Sequence, residues 1–489
     1  MLDCFIYIYK FIIIIFLNIA LRFVKTKFVI AFAKRVRLDV RYAWGYERLH
    51  FLTAKGGVIY KLGKLHAYYI LTPTDRGVAW GCAMESTFRI INLIYFCRKY
   101  ELKINAVDTY IEEELDFIKN NLEIHSINNH ISFNYAGLVM ASVYLNKPTK
   151  MYVDELSLIL ARQFNMDGSN FEASTSYHVL MIEMLCWLKE FTPKSFDEIA
   201  GQINLYGALE FMRFITYKEG LHLIGDNDDS VCIKEINFKA LQPKRVAYKE
   251  NREIQLDNIH FTLPYQNIDK KPVFECFGAS TLICDDIELI LWNPKPGQNG
   301  KCGHNHNDML SISLLVDGSL FILDSGVPFY SVLRDEYRSA TKHSCIVSVN
   351  EPEVFTGAFS SESKSIRSIK NRADTIIADI SYQDQMIRRD IVLLKGKGFR
   401  VHDSSSKVSN LLYSQLILHP LVDAVKENDW TLRLTRLDTL DSIIIVVDKG
   451  NDIVISNTHI SERYGALKKT KLIKIIVKTE ELKWYILKK

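Results

Sequence analysis

The chain has 489 residues, 48% of them hydrophobic and 24% charged, with only 23 Gly and 11 Pro. That composition supports a large globular core and excludes wholesale disorder and collagen-like repeats, while the length exceeds what one core organises and predicts two or three domains. The net charge of +4 is uneven: residues 1–37 hold seven basic side chains against Asp3 alone, which leaves the remainder at −2. A body of that charge is not a general nucleic-acid binder, and an acidic substrate would have to be held by a few placed cations in a cleft.

In chain order, residues 5–20 read FIYIYKFIIIIFLNIA and, with Leu21, Phe23 and Val24, approach the length of a membrane span. The basic cluster follows this run and no small-residue cleavage site does, so the pattern reads as an anchor or an interfacial helix and not as a signal peptide. Residues 1–44 are set apart on this basis, with membrane association expected through residues 5–24. The flanking charge places the body in the cytoplasm by the positive-inside rule, and a periplasmic or envelope location stays open.

Between residues 45 and 265 apolar positions recur at helical spacing, in runs at 84–100, 107–124, 133–145, 153–164, 176–191 and 196–216. Short connections between them predict antiparallel helical hairpins, stacked as a bundle or an α/α toroid. From 266 to 489 the pattern changes to short Ile-, Val- and Phe-rich runs with turn punctuation. The strongest of these signals is SISLLVDGSLFILDSG (311–326), a hairpin turning at Asp317-Gly318. The fold class is therefore α+β and multidomain, a helical domain followed by a layered antiparallel β-sandwich.

The nine cysteines are scattered and form no Cys-x-x-Cys pair, which gives no support to zinc ribbons or redox motifs. Phosphate-binding loops, dinucleotide fingerprints, serine elbows and His-Glu-x-x-His are also missing from the sequence, so no nucleotide or organic cofactor is expected. GDNDDS (225–230) lacks the length and spacing of a calcium loop and reads as a turn near the inter-domain face.

Three stretches could carry chemistry. GQNGKCGHNHND (297–308) runs into a strand, and in extended chain His304, His306 and Asp308 share one face. Asp324 ends the next hairpin and His343 precedes another strand, so His, Asp and His from adjacent strands form a candidate divalent-metal site, for which zinc is the expected ion. HSINNHISFNYAGLV (125–139) gathers Ser126, Asn128, Asn129 and His130 at the start of an apolar helix, more polar residues than a cap uses. DGSNFEASTSYHVL (167–180) places Asp167, Glu172, Tyr177 and His178 before another such helix, where Tyr177 and His178 are either buried and satisfied or line a cleft.

Taken with GVAWGCAMESTFR (77–89), GDNDD (225–229) and the long stretch 303–349, these segments occur in an order that resembles the heparinase II/III-like polysaccharide lyases. The likeness covers most of residues 70–420. His-Ser-Cys at 343–345, where relatives often have His-Asn-Thr, and the unusual N-terminus depart from it. The resemblance implies an incomplete α/α toroid over 45–265, an antiparallel β-sandwich over 266–489, and β-elimination on a uronic-acid-containing polysaccharide. In that scheme Asn129, with His130 beside it, holds the uronate carboxyl and the developing enolate. Tyr177 protonates the leaving oxygen, and His304 or Tyr177 takes the C5 proton. Asn128, Glu172 and Tyr330 would contact substrate, and Arg338 would clamp a carboxylate or sulfate through its planar fork. His306, Asp324 and His343 would hold a structural divalent ion. Two other readings remain: an accessory glycan-binding protein of surface or capsular polysaccharide assembly, and a toroid-type glycoside hydrolase using Asp167 and Glu172. Polymer identity, endo or exo mode and oligomeric state are left open.

Overall fold

The computed structural model describes residues 22–35, 41–125, 127–234, 244–247, 252–256, 259–263, 273–330, 334–357, 359–407, 411–477 and 481–489. Residues 5–21 of the apolar N-terminal run, and with them most of the expected anchor, lie outside the described residues; among those described, no helix is long and apolar enough to cross a membrane.

Helices come first and form two layers. Ala83–Lys99, Asn129–Tyr144 and Thr175–Phe191 are buried on nearly every side. Asn105–Asn120 and Lys150–Gln163 bury only one stripe, for example Val107, Ile111, Leu115 and Ile118, and turn charged residues outward. This inner and outer pairing is what an α/α toroid requires of its sequence. The run at 196–216 is two helices, Pro193–Ala200 and Leu205–Ile215, because Asn204 caps the second by accepting the Gly207 N–H at 2.9 Å.

Two features depart from the domain limits read from sequence. Residues 22–35 are docked on the helical body: the Thr26 amide donates to the Asp75 carbonyl at 3.0 Å, the Gly77 amide to Val24 at 2.8 Å, and Val29 and Ala33 are buried. Among the described residues the helical run of the first half ends at Ile215, and a short hairpin and the three-stranded sheet Lys244–Ala247, Arg252–Leu256, Ile259–Leu263 follow. Ile254 and Leu256, then Ile259, Phe261 and Leu263, recur with period two, the strand signature.

Two large antiparallel sheets complete the described fold. One orders its strands Asp452–Ile460, Lys468–Ile476, Leu411–Leu418, Ser319–Leu323, Ser311–Val316, Ile287–Trp292, Ala279–Cys284 and Val273–Phe274, with Ile346–Ser348 also pairing on Leu411–Leu418. The other orders Ile366–Arg372, Thr375–Tyr382, Gln385–Leu394, Gly398–Ser405, Glu481–Lys488, Ser442–Val447, Thr431–Arg436 and Val422–Asn428. The first sheet is the middle layer. Its strands Ser311–Val316 and Ser319–Leu323 are buried at every position, while Thr375–Tyr382 of the second alternates buried and half-buried. Trp292, Leu315, Leu320 and Leu323 of the middle sheet pack on the helices, and Leu289, Leu291, Phe321 and Leu416 pack against Ile376, Ile391, Phe399 and Trp484 of the outer one. The hairpin turn is at Asp317 and Gly318, both at positive φ (48° and 72°), as a tight two-residue turn demands.

Candidate functional site

The site forms where helix starts of the toroid meet loops of the middle sheet. Asn128 caps Asn129–Tyr144 by accepting the His130 amide, which brings Asn129 to the helix mouth. Ser174 caps Thr175–Phe191 by accepting the Tyr177 amide, so Tyr177 lies in the first turn. Loop 225–230 passes between these helices and the His304 loop. Gly225 has φ +68°, and a Cβ there would stand 2.7 Å from the His304 carbonyl and 2.8 Å from that of Ala173; only glycine lets the three segments meet. The Asp226 amide then donates to the His304 carbonyl at 3.1 Å.

Asp226 is the hub. Its Oδ2 faces His304 Nδ1 at 2.7 Å and accepts from Arg334 Nη2 at 2.6 Å, and its Oδ1 faces His306 Nε2 at 3.1 Å. Burial alone would raise its pKa, but Arg334 and the two imidazoles outweigh burial and hold it far below the usual carboxylate range. His304 Nε2 lies 3.2 Å from Glu172 Oε2. Burial works against the charged imidazole, yet the bonds to Asp226 and Glu172 prevail and its pKa is raised. Glu172 in turn accepts the backbone amide of Asn129 at 2.5 Å and its Nδ2 at 3.0 Å, while the buried Asn129 Oδ1 has no protein partner.

The Tyr177 ring stacks on His304, centroids 3.9 Å apart at 28°. Its hydroxyl is 3.1 Å from that of Tyr330 and donates to Asp228 Oδ2 at 3.4 Å. Burial, with Asp228 and Asp226 nearby, pushes the phenol well above the ordinary tyrosine value.

Next to this group, His306 Nδ1, Asp308 Oδ1 and His343 Nε2 are all buried without a protein partner, and ligand atoms of the three residues lie within 4.8 Å of one another. His306 Nε2 faces anionic Asp226 and His343 Nδ1 faces Asp324 Oδ2 at 2.6 Å, so each ring points its N–H at a carboxylate and its lone pair inward. Two imidazole lone pairs and a carboxylate oxygen converging in a dry pocket fit a divalent cation. The structure therefore brings Asp308 into this set and puts Asp324, expected as a ligand, one layer back as the residue that orients His343.

Other expected residues lie as follows. His130 does not join Asn129 at the site: its Nδ1 faces Glu123 Oε1 at 3.0 Å and Cys82 Sγ at 3.5 Å. Arg338 is fully buried over the Phe355 ring and spends Nη2 on Asp335 and the Gly357 carbonyl, while its Nε and Nη1 are buried without a protein partner. Arg334, one helical turn earlier, is the arginine that enters the site, its guanidinium against the rings of Tyr330 and Phe359. His178 is a core residue, bonded to the Ala208 carbonyl and the Asn170 amide. Asp167 accepts the amide and hydroxyl of Ser169 and the amide of Cys276, which commits the carboxylate proposed for a hydrolase to its own loop. Sequence reading missed Asp226, Asp228 and Arg334, and also Arg41. The Arg41 guanidinium grips Asp228 and, at 2.8 Å, Asp229, and stacks on Tyr464 at 3.9 Å. The acidic run 225–230 was the only signal for this group.

Residues 271–484 match the family Heparinase II/III-like, C-terminal. A crystal structure of heparinase III superposes with a TM-score of 0.65 at 15% identity, covering 93% of this chain and 74% of that one. A second heparinase III gives 0.62 at 14%, with 93% and 76% covered. The heparan sulfate lyase HepC from Pedobacter heparinus gives 0.57 at 15%, with 83% and 68% covered. No curated protein sequence matches the chain. Residues 271–484 thus match the Heparinase II/III-like C-terminal family, and the chain has the fold of heparinase III over nearly its whole length.

Proposed function

We propose that the protein is a polysaccharide lyase that cleaves a uronic-acid-containing polymer by β-elimination. The observation that carries this reading is the stacked Tyr177–His304 pair, joined through Glu172 to Asn129. Elimination needs the C5 proton removed, the C4–O4 bond broken and a proton given to O4, with the carboxyl group neutralised so that C5–H becomes acidic. Three residues can divide those tasks.

A phenol whose pKa is raised stays protonated, which suits Tyr177 to donate to the leaving O4 and not to act as base. His304 then takes the C5 proton in its neutral form, which it reaches more readily once substrate displaces Glu172, one of the two carboxylates that raise its pKa. Its Nδ1 is turned to Asp226, so Nε2 is the reactive atom, and substrate must displace the Glu172 contact at 3.2 Å before that atom is free. Asn129 receives the carboxyl group: an amide oxygen with no protein donor is matched by an O–H, as the neutral acid form supplies. The electrons of C5–H form the C4–C5 double bond as O4 departs with the Tyr177 proton. His306, Asp308 and His343 would hold a divalent ion, with zinc the best match to two imidazoles and a carboxylate, and that ion supplies a structural tie behind His304.

One structural neighbour is named for heparan sulfate, so that polymer heads the test panel, beside other uronate polysaccharides. The full chain is incubated with each and near-ultraviolet absorbance of the unsaturated uronate is followed. Growth that disappears in Tyr177→Phe supports the reading. Absence of the chromophore on every polymer, or most of the activity surviving in Tyr177→Phe, overturns it, and glycan retained without cleavage would favour the accessory binding role.

A further inference from the structure

We propose that Cys82, Glu123 and His130 form a second metal site, one that takes zinc through a thiolate, a carboxylate and an imidazole and leaves a fourth position open. It is separate from the His306–Asp308–His343 group and does not depend on the lyase reading. The three residues come from different segments: Cys82 is the N-cap of Ala83–Lys99, Glu123 follows the end of Asn105–Asn120, and His130 opens Asn129–Tyr144. Their ligand atoms all lie within 4.8 Å of one another.

Two of the three ligand separations fit a coordination polyhedron, and the third, between nitrogen and oxygen, would have to open by about 0.3 Å. Cys82 Sγ is 3.5 Å from His130 Nδ1 and 3.6 Å from Glu123 Oε1, and Nδ1 is 3.0 Å from that oxygen. Sulfur, nitrogen and oxygen ligands at about 2.3, 2.0 and 2.0 Å from a tetrahedral zinc stand roughly 3.3–3.6 Å apart. Without a metal the same atoms are held by hydrogen bonds, the Cys82 thiol donating to Glu123 Oε1 and the His130 ring facing that oxygen, which keeps all three ligands gathered for an ion to replace the protons. The remaining Glu123 oxygen is already oriented, accepting the Met84 amide at 3.3 Å and Asn134 Nδ2 at 3.2 Å, as the outer layer of a metal site does. Cys82 Sγ lies at the start of a 17-residue helix, whose dipole works for a thiolate against the burial that raises the thiol's pKa.

Access separates the two sites. The Glu123 and His130 side chains are 25% and 32% exposed, so the open position faces solvent, whereas His306, Asp308 and His343 are buried. An ion at Cys82 would pin the helix start that presents Asn129, and it would exchange with chelators that the buried group resists.

Sulfur ligation makes the site visible without any activity assay, because the buried group contains no cysteine. The metal-free full chain is titrated with cobalt(II), and thiolate-to-cobalt charge transfer is read in the near ultraviolet. The band is expected in wild type and in His343→Ala, and is expected to vanish in Cys82→Ser with one metal equivalent lost per chain. His130→Gln, checked for folding by circular dichroism, gives the same loss if the serine variant does not fold. A wild-type chain saturated with cobalt but lacking the band, or a band that survives both substitutions, overturns the proposal.

Discussion

Replacing Asp226 by Asn tests the site most severely, because that one carboxylate faces His304, His306 and Arg334 at once. Asn is nearly isosteric but has one acceptor oxygen where Asp has two. Its NH2 must meet either His304 Nδ1 or His306 Nε2, and whichever ring it meets is driven into the other tautomer. Turning Nε2 of His304 from acceptor to donor would disable it as a base; misorienting the base in this way costs about 10³–10⁴ in kcat. If His306 is the ring that flips, its Nδ1 carries hydrogen instead of a lone pair, and loss of such an outer partner costs about 10–100-fold in metal affinity. The third consequence is on stability: Arg334, 2% exposed, loses its counter-charge, and breaking a buried pair costs about 3–5 kcal/mol. The assay is steady-state elimination on whichever polymer the wild type cleaves, with metal content and thermal unfolding measured on the same preparation. A folded Asp226→Asn protein that turns over within tenfold of wild type and binds metal equally well would refute Asp226 as the hub.

Tyr177→Phe should lower kcat by about 10²–10⁴ while leaving Tm nearly unchanged, since its hydroxyl contacts at 3.1 and 3.4 Å are long. Because the folded phenol pKa is raised, the donor stays protonated as pH rises, and kcat should show no falling limb below about pH 10, the ordinary tyrosine value; a Tyr177-dependent limb at lower pH would contradict its assignment as acid. Zinc added to metal-free protein at a hundred times its Kd should stabilise the fold by about 2.7 kcal/mol at a single site. His343→Ala should remove the part due to the buried group, as differential scanning calorimetry would show. Deleting residues 1–37 should destabilise the helical body by at least about 1.5 kcal/mol, because it uncovers the pocket that Val29 fills at 1% exposure, and an unchanged melting curve would show that the docked segment contributes nothing.

Periodicity made the layers legible. The helix Thr175–Phe191 coincides with the apolar run at 176–191, and the turn at Asp317-Gly318 marks where the middle sheet folds back. Glu172, Tyr177 and His304 could be singled out because polar residues stand against apolar neighbours in short motifs. Asp226 could not be read that way: His304 is 78 residues on and Arg334 108, and only the tertiary packing through Gly225 makes them neighbours. The choice between Arg334 and Arg338 was equally hidden, since residues four apart share a helix face and sequence does not say which reaches the site. Asp308 and Asp324 pose the same difficulty. Both are near imidazoles in sequence, and the decision rests on one unpartnered oxygen, that of Asp308, against an oxygen already bonded to His343. Arg41 escaped because the segment holding it was set apart from the folded body.

The charges at the site constrain how a uronate could be activated there. The toroid contributes Glu172, the loop between the domains Asp226 and Asp228, the sheet side His304 and Arg334, and the N-terminal helix Arg41. Each cation already faces one or more of these carboxylates, yet Arg334 Nε and Nη1 are buried without a protein partner and are left to donate to a sugar acid. A carboxylate entering as an anion would meet Glu172 and Asp226 in a low-dielectric pocket, where like charges repel strongly. The same carboxyl group entering in its neutral form meets an amide oxygen at Asn129 that lacks a donor. On the proposed reading, C5 is acidified by a hydrogen bond from the neutral acid to Asn129 Oδ1 together with the unpartnered Arg334 donors. Asn129→Asp, which places another carboxylate where the substrate's must sit, should then lose substrate binding as well as turnover, whereas a site in which Arg334 alone holds the carboxyl group would keep its KM.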